Sequence, residues 1–314
     1  MEKKDKIFIA GHNGMLGSGL FRYLRKNDYS NLLTADRKSL DLRNQNDVDH
    51  YFQINKPNYV FLAAAKVGGI QANINSPAEF LYDNLAIQNN LIHFSYKHGV
   101  SKLIFYGSSC IYPKECPQPM KEEYILDGKL EPTNEGYAIA KLAGYKLGEF
   151  YNRQYGLECL NLMPCNLYGT NDHYDPINSH VLTALTKKFV DAVDEGKKEV
   201  ILWGSGIAKR EFMHVDDLVE ATFFLMDKWK TSEIINVGVG IDITVKDLAE
   251  LIALKVGYGG NIGWDTSKPD GMLKKCLDIS KLNNLGYKHK ISFESGVERT
   301  IIEYRDLKKK GHIL

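Results

Sequence analysis

The chain has 314 residues, 44% of them hydrophobic and 25% charged, which is typical of a globular protein with one large α/β domain and a smaller one. Its net charge of +1 gives no electrostatic footprint for nucleic acid, so we expect no such partner. Because no apolar stretch suits a signal region or a membrane span, and the cysteines show no Cys-x-x-Cys spacing, we expect a cytoplasmic protein with no membrane contact, disulfide framework or metal site.

Short apolar strands alternate with helices over the first half of the chain. Strands are predicted at 6–10, 32–35, 59–63, 103–106 and 159–162. Helices are predicted at 18–26, 46–54, 77–98 and 137–155. Alternation at these lengths is typical of an α/β fold with a parallel, doubly wound sheet.

The alternation is less regular after residue 168. A strand is predicted at 200–203, and helices are predicted at 180–195, 216–228 and 245–256. These elements indicate a smaller α/β domain interleaved with the first. We therefore expect one domain of residues 1–170 plus about 210–243, and a second of about 171–209 plus 244–314.

A glycine-rich turn follows the first predicted strand. Gly11, Gly14 and Gly17 form a Gly-x-x-Gly-x-x-Gly motif between a strand and a helix. Glycines permit a tight turn and bring the backbone close to a pyrophosphate, and the helix N-terminus offers N–H groups and the positive end of its dipole. The motif therefore predicts that the first domain binds a dinucleotide.

Two adjacent residues at the end of the second predicted strand favour opposite cofactors. Asp36 would accept hydrogen bonds from a free ribose hydroxyl, which favours NAD(H). Arg37 would pair with a 2′-phosphate, which favours NADP(H). The residues alone leave the choice open.

Three residues predict a site for hydride transfer to or from a carbonyl carbon. Tyr137 and Lys141 form a Tyr-x-x-x-Lys motif, one turn apart on a helix, and Ser108 follows a predicted strand. A tyrosine has a reference pKa of about 10, and we expect the charge of Lys141 to lower it. Ser108 would donate a hydrogen bond to the carbonyl oxygen.

A thiol and an imidazole add a second kind of chemistry. Cys110 lies two residues after Ser108, and in an extended stretch the two side chains would face the same side. Together with His180, Cys110 could remove and return protons at carbons beside a ketone, because the donors that stabilise the alkoxide also stabilise an enolate. These residues favour epimerisation next to a ketone, followed by its reduction.

In these motifs the chain resembles the GDP-L-fucose synthase family, a group of extended short-chain dehydrogenases/reductases. The most specific segment is Gly-Ser-Ser-Cys-Ile-Tyr-Pro-Lys at residues 107–114. The matching segments span nearly the whole chain and are residues 8–12, 62–70, 107–114, 130–135, 137–141, 166–169, 178–181, 203–206, 210–212, 214–217 and 268–271.

The resemblance implies an enzyme that converts GDP-4-keto-6-deoxy-D-mannose to GDP-L-fucose. The steps would be epimerisation at C3 and C5 by Cys110 and His180, then reduction at C4 by NADPH with Ser108, Tyr137 and Lys141. It also implies a homodimer. The first domain would bind the dinucleotide and the second the nucleotide-sugar.

The resemblance also implies which residues contact each ligand. The cofactor contacts would be Gly11, Asn13, Gly14, Met15, Leu16, Gly17, Asp36, Arg37, Ala63, Ala64, Tyr106, Gly107, Lys141, Pro164, Asn166, Leu167 and His180. The substrate contacts would be Ser109, Asn166, Lys188, Trp203, Arg210 and Asp270. An aromatic plane and an arginine fork suit a guanine face and a diphosphate.

Departures from the family pattern leave alternatives. Asn13 replaces an arginine, and Asp36 adds an acid, so support for NADPH rests on Arg37 and NADH stays open. Lys188 stands where the family has an arginine. The alternatives are a GDP-4-keto-heptose or dideoxyhexose epimerase/reductase, a pure C4-reductase, and a non-catalytic cofactor-sensing protein. Tyr137 and its lysine partner argue against the last, because a sensor needs no proton donor.

Overall fold

The computed structural model describes residues 1–175, 179–268 and 270–311; Asn178 and Pro269 of the motifs above, and residues 312–314, lie outside the described residues. The strands are β1 (Ile7–Ala10), β2 (Leu32–Leu33), β3 (Tyr59–Leu62), β4 (Lys102–Tyr106), β5 (Cys159–Pro164), β6 (Asn166–Tyr168), β7 (Glu199–Trp203), β8 (Lys209–His214), β9 (Ile235–Val237), β10 (Asp242–Thr244), β11 (Asn261–Asp265) and β12 (Lys274–Lys275). The helices are α1 (Met15–Lys26), α2 (Gln45–Asn55), α3 (Ile70–Asn75), α4 (Pro77–Lys97), α5 (Glu135–Tyr155), α6 (Val181–Asp194), α7 (Val215–Lys228), α8 (Val245–Val256), α9 (Ser280–Asn284) and α10 (Phe293–Lys309).

A parallel sheet of six strands forms the centre of the described structure. Its order is β2-β1-β3-β4-β5-β9, and every neighbouring pair is parallel. Since β2 and β3 flank β1, the direction of winding reverses between β1 and β3, and a crevice opens at their carboxyl ends. The predicted parallel, doubly wound α/β sheet is confirmed.

The central strands form because their side chains are buried on both faces. All residues of β1 and β5 are buried, as is most of β4, which is the continuous apolar pattern of a sheet covered by helices on both sides. The predicted strand at 32–35 is shorter in the structure, where β2 has only two residues. The predicted helix at 18–26 begins earlier, at Met15.

The longest helices, α4 and α5, pack against each other on one side of the sheet. Helix α5 ends at Gly156, which takes the left-handed conformation (φ 74°) that favours glycine after a helix. Within the described parts of the chain, no helix is long and apolar enough to cross a membrane.

Smaller sheets carry the other side of the cavity. β8 pairs with β10 antiparallel, and with β6 and β12 parallel, while β11 pairs with β7. A second hydrophobic cluster lies here, with Phe189, Leu248 and Tyr304 among its fully buried members. Leu277, Leu282 and other residues near the C-terminus pack into the larger cluster around the central sheet. The division into two domains at the predicted boundaries stays a prediction.

Candidate active site

One cavity of about 1280 Å³ lies at the carboxyl ends of the central strands and is closed on its other side by α6, β7 and β8. Apart from Gly17, every residue predicted for catalysis, cofactor binding or substrate binding lines it. These residues are Gly11, Asn13, Gly14, Met15, Leu16, Asp36, Arg37, Ala63, Ala64, Tyr106, Gly107, Ser108, Ser109, Cys110, Tyr137, Lys141, Pro164, Asn166, Leu167, His180, Lys188, Trp203, Arg210 and Asp270.

The glycine-rich turn is too tight for side chains. Gly11 has φ 88°, and a Cβ there would lie 2.7 Å from the backbone of Ala64. A Cβ at Gly17 would lie 2.0 Å from the Gly11 carbonyl oxygen, so Gly17 permits the close packing of helix against turn instead of lining the cavity. Helix α1 starts at Met15, and Gly14 before it offers no capping side chain. The turn therefore presents free backbone N–H groups that suit a pyrophosphate.

The carboxylate of Asp36 is held in its own turn. Its Oδ1 accepts hydrogen bonds from the backbone N–H groups of Lys38 (3.0 Å) and Ser39 (2.8 Å). Hydrogen bonding from Ser39 holds the pKa of Asp36 below its usual value. Arg37 is exposed at the same edge of the cavity. The carboxylate of Asp36 thus already accepts two hydrogen bonds within its own turn, whereas the guanidinium of Arg37 is accessible to a phosphate.

Tyr137, Lys141 and Ser108 meet where β4 ends. Helix α5 carries the first two, and the buried Lys141 donates from Nζ to the carbonyl oxygen of Tyr106 at 2.9 Å. The same Nζ lies 5.9 Å from the centre of the Tyr137 ring. Ser108 caps a short 3₁₀ turn, Ser109–Ile111, by accepting the N–H of Cys110. The segment is thus a turn and not the expected extended stretch, because this cap folds it, yet both side chains still reach the cavity.

Burial controls the protonation of this group. Burial raises the pKa of Tyr137, the nearby Cys110 raises it further, and a hydrogen bond with Ser108 opposes both. Burial also lowers the pKa of Lys141 to about 8. The pKa of the phenol is therefore raised, not lowered as expected from the lysine charge, because loss of solvent is the largest of the effects that act on it. A phenol kept protonated is suited to give a proton to a developing alkoxide.

Two side-chain nitrogen atoms donate to the thiol of Cys110. Asn134 Nδ2 lies 3.2 Å and Lys275 Nζ 3.4 Å from its Sγ. Burial raises the pKa of the thiol, but the charge of Lys275 and the hydrogen bonds from Ser108, Lys275 and Asn134 oppose it and leave the pKa below its usual value. Such a site favours the thiolate, which is the form that can act as a base.

His180 faces the cavity from the start of α6. Its Nδ1 lies 3.7 Å from Oδ1 of Asp172, which is an ion-pair distance longer than a hydrogen bond. The side chain of His180 is 41% exposed and that of Asp172 only 2%. The carboxylate raises the pKa of the imidazole, and burial opposes it. This favours the imidazolium, which can act as an acid.

Three of the predicted substrate residues, Trp203, Arg210 and Asp270, lie on the side of the cavity where β7 and β8 end or pass. The guanidinium of Arg210 donates hydrogen bonds to the carbonyl oxygens of Met272 (2.6 Å) and Asp270 (3.0 Å). These bonds to the main chain fix the position of the guanidinium. The carboxylate of Asp270 accepts from the N–H and the hydroxyl of Ser205, which stabilises the turn after β7. Trp203 is 56% exposed and presents an open aromatic face, with Lys268 Nζ 5.5 Å from its ring.

Three residues of the site were not predicted to act in it. Asn134 belongs to one of the motifs that carried the family resemblance, at residues 130–135, but no role was predicted for it. Asp172 and Lys275 had no signal in the sequence, because the first lies in an irregular segment and the second in a strand of only two residues, and each reaches its partner only through tertiary structure.

The comparisons with known proteins agree with this geometry. The sequence pattern of the NAD dependent epimerase/dehydratase family matches residues 7–238. GDP-L-fucose synthase 1 of Arabidopsis thaliana is 50% identical over 95% of this chain and 93% of its own. GDP-L-fucose synthase of Escherichia coli K12 is 47% identical over 95% of each chain. A GDP-mannoheptose C4 reductase from Campylobacter jejuni, solved with NADP bound, is 36% identical, with a TM-score of 0.88 over 97% of this chain and 99% of that one.

The matches to these relatives cover 95–97% of the chain and confirm the resemblance drawn from the motifs. The chain belongs to the NAD dependent epimerase/dehydratase family and, within it, to the group of GDP-L-fucose synthases and related GDP-sugar enzymes.

Proposed function

We propose that the protein epimerises a GDP-4-keto-6-deoxy-sugar at C3 and C5 and then reduces it at C4 with NADPH, most simply GDP-4-keto-6-deoxy-D-mannose to GDP-L-fucose. The observation that carries this proposal is one cavity in which Cys110 and His180 lie together with Ser108, Tyr137 and Lys141. The names of the relatives, GDP-L-fucose synthases at 47% and 50% identity, support the same reaction.

In this proposal, the epimerisations use two groups of opposite charge. The Cys110 thiolate removes a proton from the carbon beside the C4 ketone, and the electrons move onto the C4 oxygen. Hydrogen bonds from Ser108 and Tyr137 stabilise that enolate. The His180 imidazolium then gives a proton to the opposite face of the carbon. Each exchange inverts one centre and leaves the ketone intact. Once the thiol has lost its proton to solvent and the imidazole has regained one, a second carbon can follow.

Reduction then uses the buried pair of α5. A nicotinamide cofactor, when bound in this cavity, would supply the hydride for C4. Tyr137 gives its phenolic proton to the C4 oxygen, and Lys141 positions the phenol and the cofactor ribose. Burial keeps that phenol protonated until the oxygen becomes basic. The epimerisations must precede this step, since protons beside an alcohol carbon are not acidic.

The proposed cofactor is NADPH. Asp36 Oδ1 already accepts two backbone N–H groups, which reduces its availability to a ribose hydroxyl, and Arg37 is exposed beside it. The C4 reductase from Campylobacter jejuni was solved with NADP bound. On the substrate side, Trp203 would stack on guanine, and Arg210 and Lys188 would neutralise the diphosphate.

A second candidate is a C4-reductase for a GDP-4-keto-heptose. The structural likeness to the Campylobacter heptose reductase favours it. Against it, Cys110 and His180 have charged partners, Lys275 and Asp172, which suit a base and an acid and which a simple reductase does not need.

We also propose a homodimer formed through the outer faces of α4 and α5. Large apolar side chains are exposed on these helices at Tyr82, Tyr96, Ile139, Phe150 and Tyr155. Light scattering after size-exclusion chromatography gives the mass directly, and a monomer at micromolar concentration contradicts the proposal. Location in the cytoplasm stays a prediction of the sequence.

The test of the proposed reaction separates its two halves. Purified protein is incubated with GDP-4-keto-6-deoxy-D-mannose in D₂O, with NADPH, with NADH or with no cofactor, and the sugar is analysed by NMR and mass spectrometry. Wild type should form GDP-L-fucose with deuterium at C3 and C5. Tyr137→Phe should lose reduction yet still exchange deuterium, whereas Cys110→Ser should lose exchange and reduce the unepimerised ketone. A wild-type product that keeps the D-manno configuration at C3 and C5 supports the pure reductase instead.

A further inference from the structure

A lysine from a distant part of the chain lies against the thiol of Cys110. Lys275 ends β12, which pairs in parallel with β8 at Arg210, and its Nζ lies 3.4 Å from the Sγ. Lys274, one residue earlier, instead pairs with Asp242 at 3.4 Å. We propose that Lys275 is a positioning residue that holds Cys110 as a thiolate before substrate arrives, an inference that rests on the proposed role of Cys110 as the base of the epimerisations.

Polar groups from several elements surround the thiol, beginning with the neutral hydroxyl of Ser108 in its own turn. Helix α5 contributes Tyr137, which stays neutral because its pKa is raised by burial. The turn before it contributes the amide of Asn134, a neutral donor. β8 contributes Arg210, whose guanidinium interacts electrostatically with the thiol but donates its hydrogen bonds to backbone carbonyls. Lys275 is therefore the cation whose hydrogen bond reaches the sulfur.

The electrostatic balance at the sulfur depends on this lysine. Burial raises the pKa of Cys110, and the charge of Lys275 is the largest of the effects that lower it. An opposite charge at this distance shifts a pKa by about 1–3 units. Removing it should therefore raise the pKa of the thiol by about one unit or more. At a fixed pH below that pKa, each unit means tenfold less thiolate and tenfold slower thiolate chemistry.

Alkylation measures the thiolate without substrate, cofactor or turnover. The rate of iodoacetamide modification at Cys110, read by peptide mass spectrometry, is followed from about pH 5.5 to pH 10 in the intact protein. The variants are Lys275→Met, Lys275→Gln and Lys275→Arg, with Lys274→Met as the matched loss of a neighbouring lysine. Cys110→Ser gives the background from the four other cysteines of the chain.

The two neutral variants should shift the alkylation midpoint upward by about one unit or more. Lys275→Arg should keep it near the wild-type value, and Lys274→Met should leave it unchanged. Circular dichroism melting checks that each variant is folded. In the case that Lys275→Met does not fold, the alkylation midpoint of Lys275→Gln decides. A midpoint unchanged in a folded neutral variant would overturn the proposal, even if the KM for the sugar rises, because that pattern belongs to a lysine that only contacts substrate.

The reaction itself is tested separately. Solvent deuterium exchange into the sugar should slow about tenfold in Lys275→Gln at neutral pH and recover as the pH is raised. If Cys110→Ser still exchanges deuterium at the wild-type rate, the proposed role of the thiol as base is wrong, whatever the alkylation shows. If exchange needs Cys110 but is indifferent to Lys275 at every pH, only the present inference is wrong.

Discussion

Replacing Asp172 by asparagine should lower the pKa of His180 by about one unit. The substitution keeps the shape and removes a charge 3.7 Å from the imidazole Nδ1. Opposite charges within about 4–6 Å shift a pKa by about 1–3 units. Because the His180 side chain is 41% exposed, solvent screens the pair and the lower end of that range applies. Above both pKa values, the variant should therefore hold about tenfold less imidazolium than wild type.

Two measurements follow the imidazole directly. NMR titration of the ring proton, assigned by its loss in His180→Gln, reports the pKa itself. The pH profile of deuterium exchange into the sugar reports the use of the imidazolium as an acid. The alkaline limb of that profile should move about one unit toward lower pH. Asp49→Asn is the matched control, because it removes a carboxylate 2.6 Å from His98, and neither residue lines the cavity.

The same pair predicts the sign of a stability effect. The folded state raises the pKa of His180, so the ion pair stabilises the fold at a pH below the unfolded value and is lost as the pH rises through the folded one. The melting temperature of Asp172→Asn should thus fall further below wild type near pH 5.5 than near pH 8.5. An unchanged His180 titration in the variant refutes this reasoning, and so does a melting difference that grows with pH.

Three further predictions concern the cofactor. Arg37→Ala should raise the KM for NADPH about tenfold, corresponding to about 1.4 kcal/mol, and leave the KM for NADH nearly unchanged. Asp36→Ala should move the cofactor preference further toward NADPH. Steady-state kinetics with both cofactors tests these two predictions, and a wild-type protein that prefers NADH contradicts both of them. Gly17→Ala places a Cβ 2.0 Å from the Gly11 carbonyl oxygen, so calorimetry should show cofactor affinity reduced more than tenfold. Gly259→Ala meets no atom within 4 Å and should bind as wild type.

The parts of the site that the sequence predicts well are those set by local structure. The role of Gly11 and Gly14 in a dinucleotide-binding turn can be predicted because a strand, a turn and a helix follow one another within a few residues. The pairing of Tyr137 with Lys141 can be predicted because residues one helical turn apart lie on the same face of the helix. Five of the six strands of the central sheet follow from the same local logic, whereas β9 was not predicted.

The remaining parts depend on pairing between segments far apart in the chain. β12 has two residues and no periodicity, and its place in the sheet comes from its pairing with β8 at Lys209 and Arg210. Lys275 reaches Cys110 across 165 residues of sequence through that pairing. The pKa of Tyr137 also escaped prediction, because its direction depends on burial, which spacing does not reveal.

The charges in the cavity link the two halves of the proposed reaction. A thiolate at Cys110 raises the pKa of Tyr137, so the charge that Lys275 stabilises also helps to keep the phenolic proton in place. While the sulfur carries charge, the phenol can donate a hydrogen bond to an enolate oxygen without losing its proton. When the thiolate has taken a proton from carbon, its charge is gone, and that part of the restraint on the phenol is relaxed. Epimerisation before reduction is therefore favoured by the electrostatics of this cavity as well as by the acidity of the substrate.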